Sequence, residues 1–237
     1  MDMQTEKLAI LSIKMNILKG LNGIRIRDEL ESILNGKKPE RAVRRLFLLE
    51  ALDSIGINPE SIGRLTTHIE NAVKKYEKIA EFKEMNILMW RVLVSLMLLY
   101  SKNADTGNFC SRMKIKKKDC AIITEIINDY AYLKKTLGKK ISKNSLLYSI
   151  ISGKSGEMLL IVSAAGKTQC ANISKFVSGL SVIKPEITGK DLKYLNIEPS
   201  KKYKFILDEI LKLKLDKKIK TRQDELETAV KIIEKLK

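Results

Sequence analysis

The chain has 237 residues, 44% of them apolar and 5% aromatic, and its 45 Lys+Arg against 28 Asp+Glu leave a formal net charge of +17. That apolar content is enough for a core, and the basic excess favours a polyanionic partner (RNA, DNA or an anionic membrane face) over an acidic one, with lysine-rich solubility as the plainer reading. Its three cysteines, Cys110, Cys120 and Cys170, are odd in number and lack CxxC spacing, which excludes a disulfide framework or a zinc site and reads as buried reduced thiols of a cytosolic protein.

The N-terminus, "MDMQTEKLAI", lacks the basic and apolar regions of a signal peptide. Apolar residues at helical spacing run from Leu8 to Leu18 and stop at Gly20, and Asn22-Gly23 marks a turn. "IRIRDELESIL" (Ile24–Leu34) predicts a helix with Ile26, Leu30, Ile33 and Leu34 on one face, and Arg25 and Glu29 stand four apart, positioned to pair. Asn35-Gly36 ends it, and Pro39 falls in the first turn of "PERAVRRLFLLEALDSI", which Gly56 closes. "SIGRLTTHIENAVKKYEKIA" follows, then the longest apolar run, Met85–Tyr100, which is too short for a membrane span and carries Arg91 in its middle. A buried central helix is the reading there. After the polar loop "SKNADTGN" comes "KKKDCAIITEIINDYAYLKKTL", stopping at Gly138, then short helical segments at Lys143–Ile151, Glu157–Ala165 and Ala171–Leu180. No strand alternation or fixed-period repeat is visible, so the fold class is all-α: an elongated multi-helix body of about ten helices joined by short loops. At "SVIKPEITG" the composition shifts, and Pro185 and Gly189 set off a small helical C-terminal module from a boundary near Ile183.

Catalytic groups are scarce. His68, the one histidine, reads as a surface or cap-proximal residue, and a lone histidine removes Ser-His-Asp, Cys-His and HExxH chemistry. "SGKSG" (Ser152–Gly156) is a glycine-containing turn rather than a phosphate loop, because Tyr148 stands where that loop needs its first glycine and no strand precedes it. The aspartates stand singly, with no Asp-x-Asp pair to hold two metals. The expectation is a chain with no catalytic residue, no metal ligand and no cofactor of its own.

The basic charge is clustered. Lys37, Lys38, Arg41, Arg44 and Arg45 are opposed only by Glu40; a second cluster holds Lys114, Lys116, Lys117, Lys118, Lys139 and Lys140; a third holds Lys190, Lys201, Lys202 and Lys204. Such clusters at the ends of short helices suit phosphate contact, with side chains supplying charge and helix N-termini supplying N–H groups. Since no aromatic ladder accompanies them, the implied mode is reading the shape and backbone of a duplex. A solvated helix face is the plainer reading of each cluster.

Near the C-terminus the chain reads Ile187-Thr188-Gly189-Lys190-Asp191-Leu192, then Pro199, Ile206-Leu207, Leu215-Asp216 and Thr221-Arg222-Gln223-Asp224-Glu225-Leu226. This resembles the tail of bacterial CCA-adding tRNA nucleotidyltransferases of the poly(A) polymerase family, although Asn196, Ser200, Lys204 and Lys217 stand where that family usually has glycine. Ile24–Leu34 followed by Pro39-Glu40-Arg41-Ala42 is similar to the family's neck, and "WRVLVSLMLLY" and "RMKIKKKDCAIITEII" to its body helices. The resemblance implies neck-like helices over 1–52, a helical body over 53–183 and a basic tail module over 184–237. It implies tRNA as partner, gripped at the acceptor stem and TΨC arm by the three basic clusters, with Arg25, Glu29, Gly189 and Pro199 in structural roles and a cytoplasmic location. The family's catalytic head, with its Gly-Ser, Asp-x-Asp and Glu-Asp-x-x-Arg motifs, has no counterpart before Leu8. A fragment, a split protein and a degenerate relative all fit that pattern, and Mg²⁺ and CTP or ATP are expected only with a head acting in cis or trans. The competing readings are a stand-alone nucleic-acid-binding or regulatory protein derived from such an enzyme, and a helical protein-interaction subunit with lysine bias.

Overall fold

A computed structural model describes residues 3–15, 17–195 and 201–235. In chain order the helices are α1 (Met3–Lys14), α2 (Ile17–Gly20), α3 (Gly23–Leu34), α4 (Pro39–Leu48), α5 (Ala51–Ser54), α6 (Ile62–Lys78), α7 (Ala80–Glu84), α8 (Met89–Leu99), α9 (Thr106–Arg112), α10 (Lys117–Leu137), α11 (Asn144–Ile151), α12 (Gly156–Ala164), α13 (Lys167–Ser178), a 3₁₀ turn at Leu180–Val182, α14 (Gly189–Tyr194), α15 (Lys201–Leu215) and α16 (Arg222–Lys235). The fold is all-α: among the described residues the one β contact is an isolated bridge between Pro59 and Ser101. Among the described residues sixteen α-helices replace the ten or so expected, because elements such as α2, α5 and α7 are about one turn long and carry no periodic pattern. The chain forms two compact units, one of residues up to Gly138 plus Lys154–Cys170, the other of Lys139–Gly153 plus Ala171 onward.

The first unit is built around α8. Trp90 and every residue from Val92 to Leu98 are buried, and α8 packs on α6, α10 and α12. The run Met85–Tyr100 does not begin as helix. Met85 caps α7 and Asn86 turns the chain at φ 51, a value asparagine tolerates. Leu88 is extended, and its N–H donates to the Glu157 carboxylate at 3.2 Å. Arg91 keeps its charge inside because Asp119 of α10 (2.6 Å) and Glu157 of α12 (2.9 Å) both bind its guanidinium. α12 is a second central helix, buried from Glu157 to Ala164 and started by Ser155, whose hydroxyl caps the Met158 N–H.

Around this core lie α3 and α4. Leu30 and Leu34 of α3 are buried as its pattern predicts, while Ile33 is exposed at 38%. Gly23 lets the start of α3 meet the end of α9, since a β-carbon there would overlap the Arg112 carbonyl. His68 corrects the sequence expectation. It is buried, not superficial, because it shares α6's inward stripe with Leu65, Ile69 and Ala72. Cys110 is buried, while Cys120 and Cys170 are only half-buried; burial and the adjacent Cys120 thiol push the pKa of Cys110 up to about 12.

The second unit has its own core. Ile187, Leu192, Ile206, Ile210, Ile219 and Ala229 are buried together, flanked by Leu195, Tyr203, Leu207, Leu213, Leu226, Ile232 and Ile233. α11 docks on α15: the Asn144 side chain donates to the Leu215 carbonyl at 2.8 Å, and Asp216 accepts both the backbone N–H and the hydroxyl of Ser145 at 2.9 and 2.7 Å. Asn196, Pro199 and Ser200 lie outside the described residues.

Candidate nucleic-acid interface

The tail motif is a set of caps and ties. Thr188 precedes α14; its side chain accepts a helix N–H while Asp191 accepts the Thr188 N–H at 2.8 Å, forming a capping box. Gly189 lies close to Tyr203: a β-carbon there would stand 3.3 Å from the ring, a tight contact. Asp191 also binds Arg222, so two separated pieces of the motif meet. Thr221 and Asp224 repeat the reciprocal cap at the start of α16. Glu225, fully buried, accepts the N–H groups of Glu186 and Ile187 at 2.7 and 3.0 Å and the Lys214 ammonium at 2.7 Å.

These bonds polarise the tail. The Thr188 backbone N–H, opposed by partial desolvation and helped by the Thr188 hydroxyl and Arg222, holds Asp191 below the ordinary aspartate range. The Ser145 N–H does the same for Asp216, and the Thr221 and Lys220 N–H groups for Asp224. Burial works against the Lys214 charge, but hydrogen bonds to Glu225 and Glu186 outweigh it and raise its pKa.

The sequence-predicted basic residues stand outside this framework. Lys37, Lys38, Arg41, Arg44 and Arg45 are all exposed at the start and along the outer face of α4. Lys37, Arg41 and Arg44 line a groove of about 460 Å³ between α4 and α6, where Lys74 joins them and Glu40, Glu70 and Glu77 temper the charge. Arg45 turns elsewhere and pairs with Glu6. Lys114 has φ 51 after α9, Lys116 is the N-cap of α10, and Lys117 and Lys118 lie in its first turn, all four exposed. Lys116 and Lys118 line a second groove of about 390 Å³ with Arg27, Arg91, Trp90, Glu31 and Asp119. Lys139 and Lys140, members of the same cluster in sequence, fall in the other compact unit, where the Lys139 carbonyl accepts from Asn172 at 3.0 Å. Lys190, Lys202 and Lys204 are exposed on the second unit, and the Lys201 side chain lies outside what the structure describes.

Arg25 and Glu29 are both exposed and do not pair. Arg27 is the cation of α3 that reaches another element, binding Asp28 at 2.7 Å and the Lys114 carbonyl at 3.0 Å. Its inward position follows from the helical stripe, since it precedes Leu30 by three residues and Leu34 by seven. Arg27, Lys74 and Arg91 belong to the two grooves yet lie outside the three basic clusters, because acidic or apolar neighbours in sequence dilute them. Among the described residues no three His, Cys, Asp or Glu side chains converge to hold a metal ion. None of the helices described is long and apolar enough to cross a membrane by itself.

No family model matches the chain. It is 27% identical over 241 aligned residues to the A-adding tRNA nucleotidyltransferase of Geobacter sulfurreducens, an alignment covering 96% of this chain and 27% of that protein. Its fold matches the Thermotoga maritima CCA-adding enzyme complexed with tRNA at a TM-score of 0.80 and 19% identity, over 98% of this chain and 57% of that one. A CCA-adding enzyme solved with CTP matches at 0.80 over 98% of this chain and 56% of that one. The chain thus shares, along nearly its whole length, the fold of part of the CCA-adding enzymes, and spans about a quarter of the length of the curated relative and just over half of the solved ones.

Proposed function

We propose that the chain is the tRNA-binding helical region of a tRNA 3′-end nucleotidyltransferase, gripping acceptor stem and TΨC arm by shape and phosphate contact. The observation that carries this reading is the separation of roles on the surface. The motif residues of the tail are consumed in caps and buried ties, while Lys37, Arg41, Arg44, Lys116, Lys118, Lys190 and Lys204 stand exposed with no carboxylate bound to them among the described residues. Residues 1–52 then act as neck, 53–183 as body and 184–237 as tail. The chemistry comes from a head acting in cis or trans, to which Mg²⁺ and CTP or ATP belong, and the setting is the cytoplasm.

The reading is supported by the likeness to an enzyme solved with tRNA and by the sequence similarity to an A-adding nucleotidyltransferase. Phosphate-directed cations with no stacking ladder suit an A-form duplex, whose deep groove hides its bases. The test is a gel shift with an RNA minihelix of acceptor plus TΨC stem, paired with a labelled-nucleotide assay. Binding at low salt that tolerates base-pair swaps in the stem, with no transfer by this chain alone, is the expected result. Failure to bind the minihelix, or nucleotide transfer by the isolated chain, overturns it.

A further inference from the structure

A third groove, of about 310 Å³, opens in the first unit among α6, α10, the end of α8 and the end of α12. It differs in charge from the two grooves described above. Arg64 and Lys134 are its charged lining residues, both exposed and neither bound to a carboxylate among the described residues. No acid lines it, whereas the other two grooves hold Glu40, Glu70 and Glu77, or Glu31 and Asp119. Its wall is His68, Tyr100 and Tyr130, with Thr67 and Asn71 adding hydrogen-bonding groups and Ala164 and Ala165 leaving room.

The wall is orientated. His68 Nε2 lies 2.9 Å from the Ile161 carbonyl, which only accepts, so Nε2 carries the proton and donates. Nδ1 of the neutral ring then accepts from the Tyr100 hydroxyl at 3.1 Å. Tyr130 sits beside the same imidazole, with ring centroids 6.0 Å apart, and the Lys134 ammonium lies 5.6 Å from the Tyr130 ring centre. The Tyr130 hydroxyl is buried and has no hydrogen-bond partner, a costly state for a native donor. Burial, opposed by the Ile161 hydrogen bond and reinforced by Lys134, lowers the pKa of His68 and keeps it neutral.

We propose that this groove binds a phosphate group, held by Arg64 and Lys134 with the Tyr100–Tyr130–His68 wall beneath it. Two cations with no carboxylate bound to them among the described residues, and no acid in the lining, make the groove anion-selective, and their long side chains reach an oxyanion from two helices, α6 and α10. The groove admits a phosphate monoester of nucleotide size or one phosphate of an RNA backbone. For a free phosphate monoester the inference stands apart from the tRNA reading, since none of its residues belongs to the three basic clusters; for an RNA backbone phosphate it rests on that reading.

His68 is the one histidine of the chain, so its ring protons form an unambiguous NMR reporter inside the site. The full chain is titrated with inorganic phosphate, with CMP and with the RNA minihelix, each against chloride at matched ionic strength. A bound anion beside the imidazole offsets the Lys134 charge and favours its protonated form, so the His68 signals should move saturably and its pKa should rise. Arg64→Gln with Lys134→Gln should weaken the response by about tenfold or more, tenfold being ~1.4 kcal/mol, while Lys134→Arg should retain it. Saturation by phosphate or CMP identifies a free monoester as the ligand, and saturation by the minihelix alone identifies a backbone phosphate. No saturable shift with any of the three, or an undiminished shift in the charge-removed variant with the folded spectrum intact, overturns the proposal.

Discussion

At the scale of single residues, burial and partner count decide what each charge does. His68 is held neutral by burial, so its folded pKa lies below its unfolded value. As pH falls the unfolded chain takes up the proton first; the stability this histidine contributes is present above about 6.5 and is lost as pH drops from there through the lower folded value. Urea melts between pH about 7 and 5 should therefore show falling stability, and His68→Asn should flatten that slope. Equal slopes for the two proteins would mean that the ring is not buried as a neutral donor. Arg91 makes the opposite case, a charge kept inside by two carboxylates. Arg91→Met should cost about 3 kcal/mol or more, because Asp119 and Glu157 are left facing each other in a partly buried site. Arg25→Ala should stay within ~0.5 kcal/mol, since its side chain is exposed and unpaired. Denaturant midpoints of the two variants check the ranking.

Helices differ in how openly they are written. Long amphipathic elements such as α6 and α10 are legible because their buried positions repeat at helical spacing over several turns. α8 and α12 are legible as apolar runs, but the start of α8 is not. The contact that sets it, Leu88 to Glu157, spans 69 residues and leaves no local trace. The burial of His68 is legible in its position, on the stripe with Leu65 and Ala72, and not in its residue type. The tail motif is legible as a pattern, whereas its lattice of caps and ties joins residues more than 30 apart and leaves no local trace. Trp90→Ala should cost about 3–5 kcal/mol, because the ring is 7% exposed on the central helix of the first unit; a loss below about 1 kcal/mol would place it at the surface. The second unit depends on depressed aspartates. Asp191, Asp216 and Asp224 titrate below their unfolded values, so their contribution is full above the unfolded pKa of ~3.9 and is lost as pH falls through the folded values. Acid titration followed by circular dichroism should show Asp216→Asn less stable than wild type at neutral pH, the two converging as pH falls through the lowered folded pKa of Asp216. A constant gap would mean that the Ser145 contacts do not depend on the carboxylate charge.

For the whole molecule, net charge was the most legible property and its use the least. A charge of +17 points to a polyanion, but only the fold separates cations already committed, such as Arg45, Arg91, Lys214 and Arg222, from those left at the surface. The central claim is that the surface set meets RNA phosphates. Salt dependence tests it most directly, because each phosphate neutralised releases condensed counterions. Labelled minihelix is titrated at several salt concentrations against wild type and against a variant with Lys37, Arg41 and Arg44 changed to Gln. With about six phosphates contacted, log K should fall with log salt at a slope of roughly −5, and the variant should be shallower by about two to three units. Equal slopes for the two proteins, or no binding by wild type at low salt, would contradict the account.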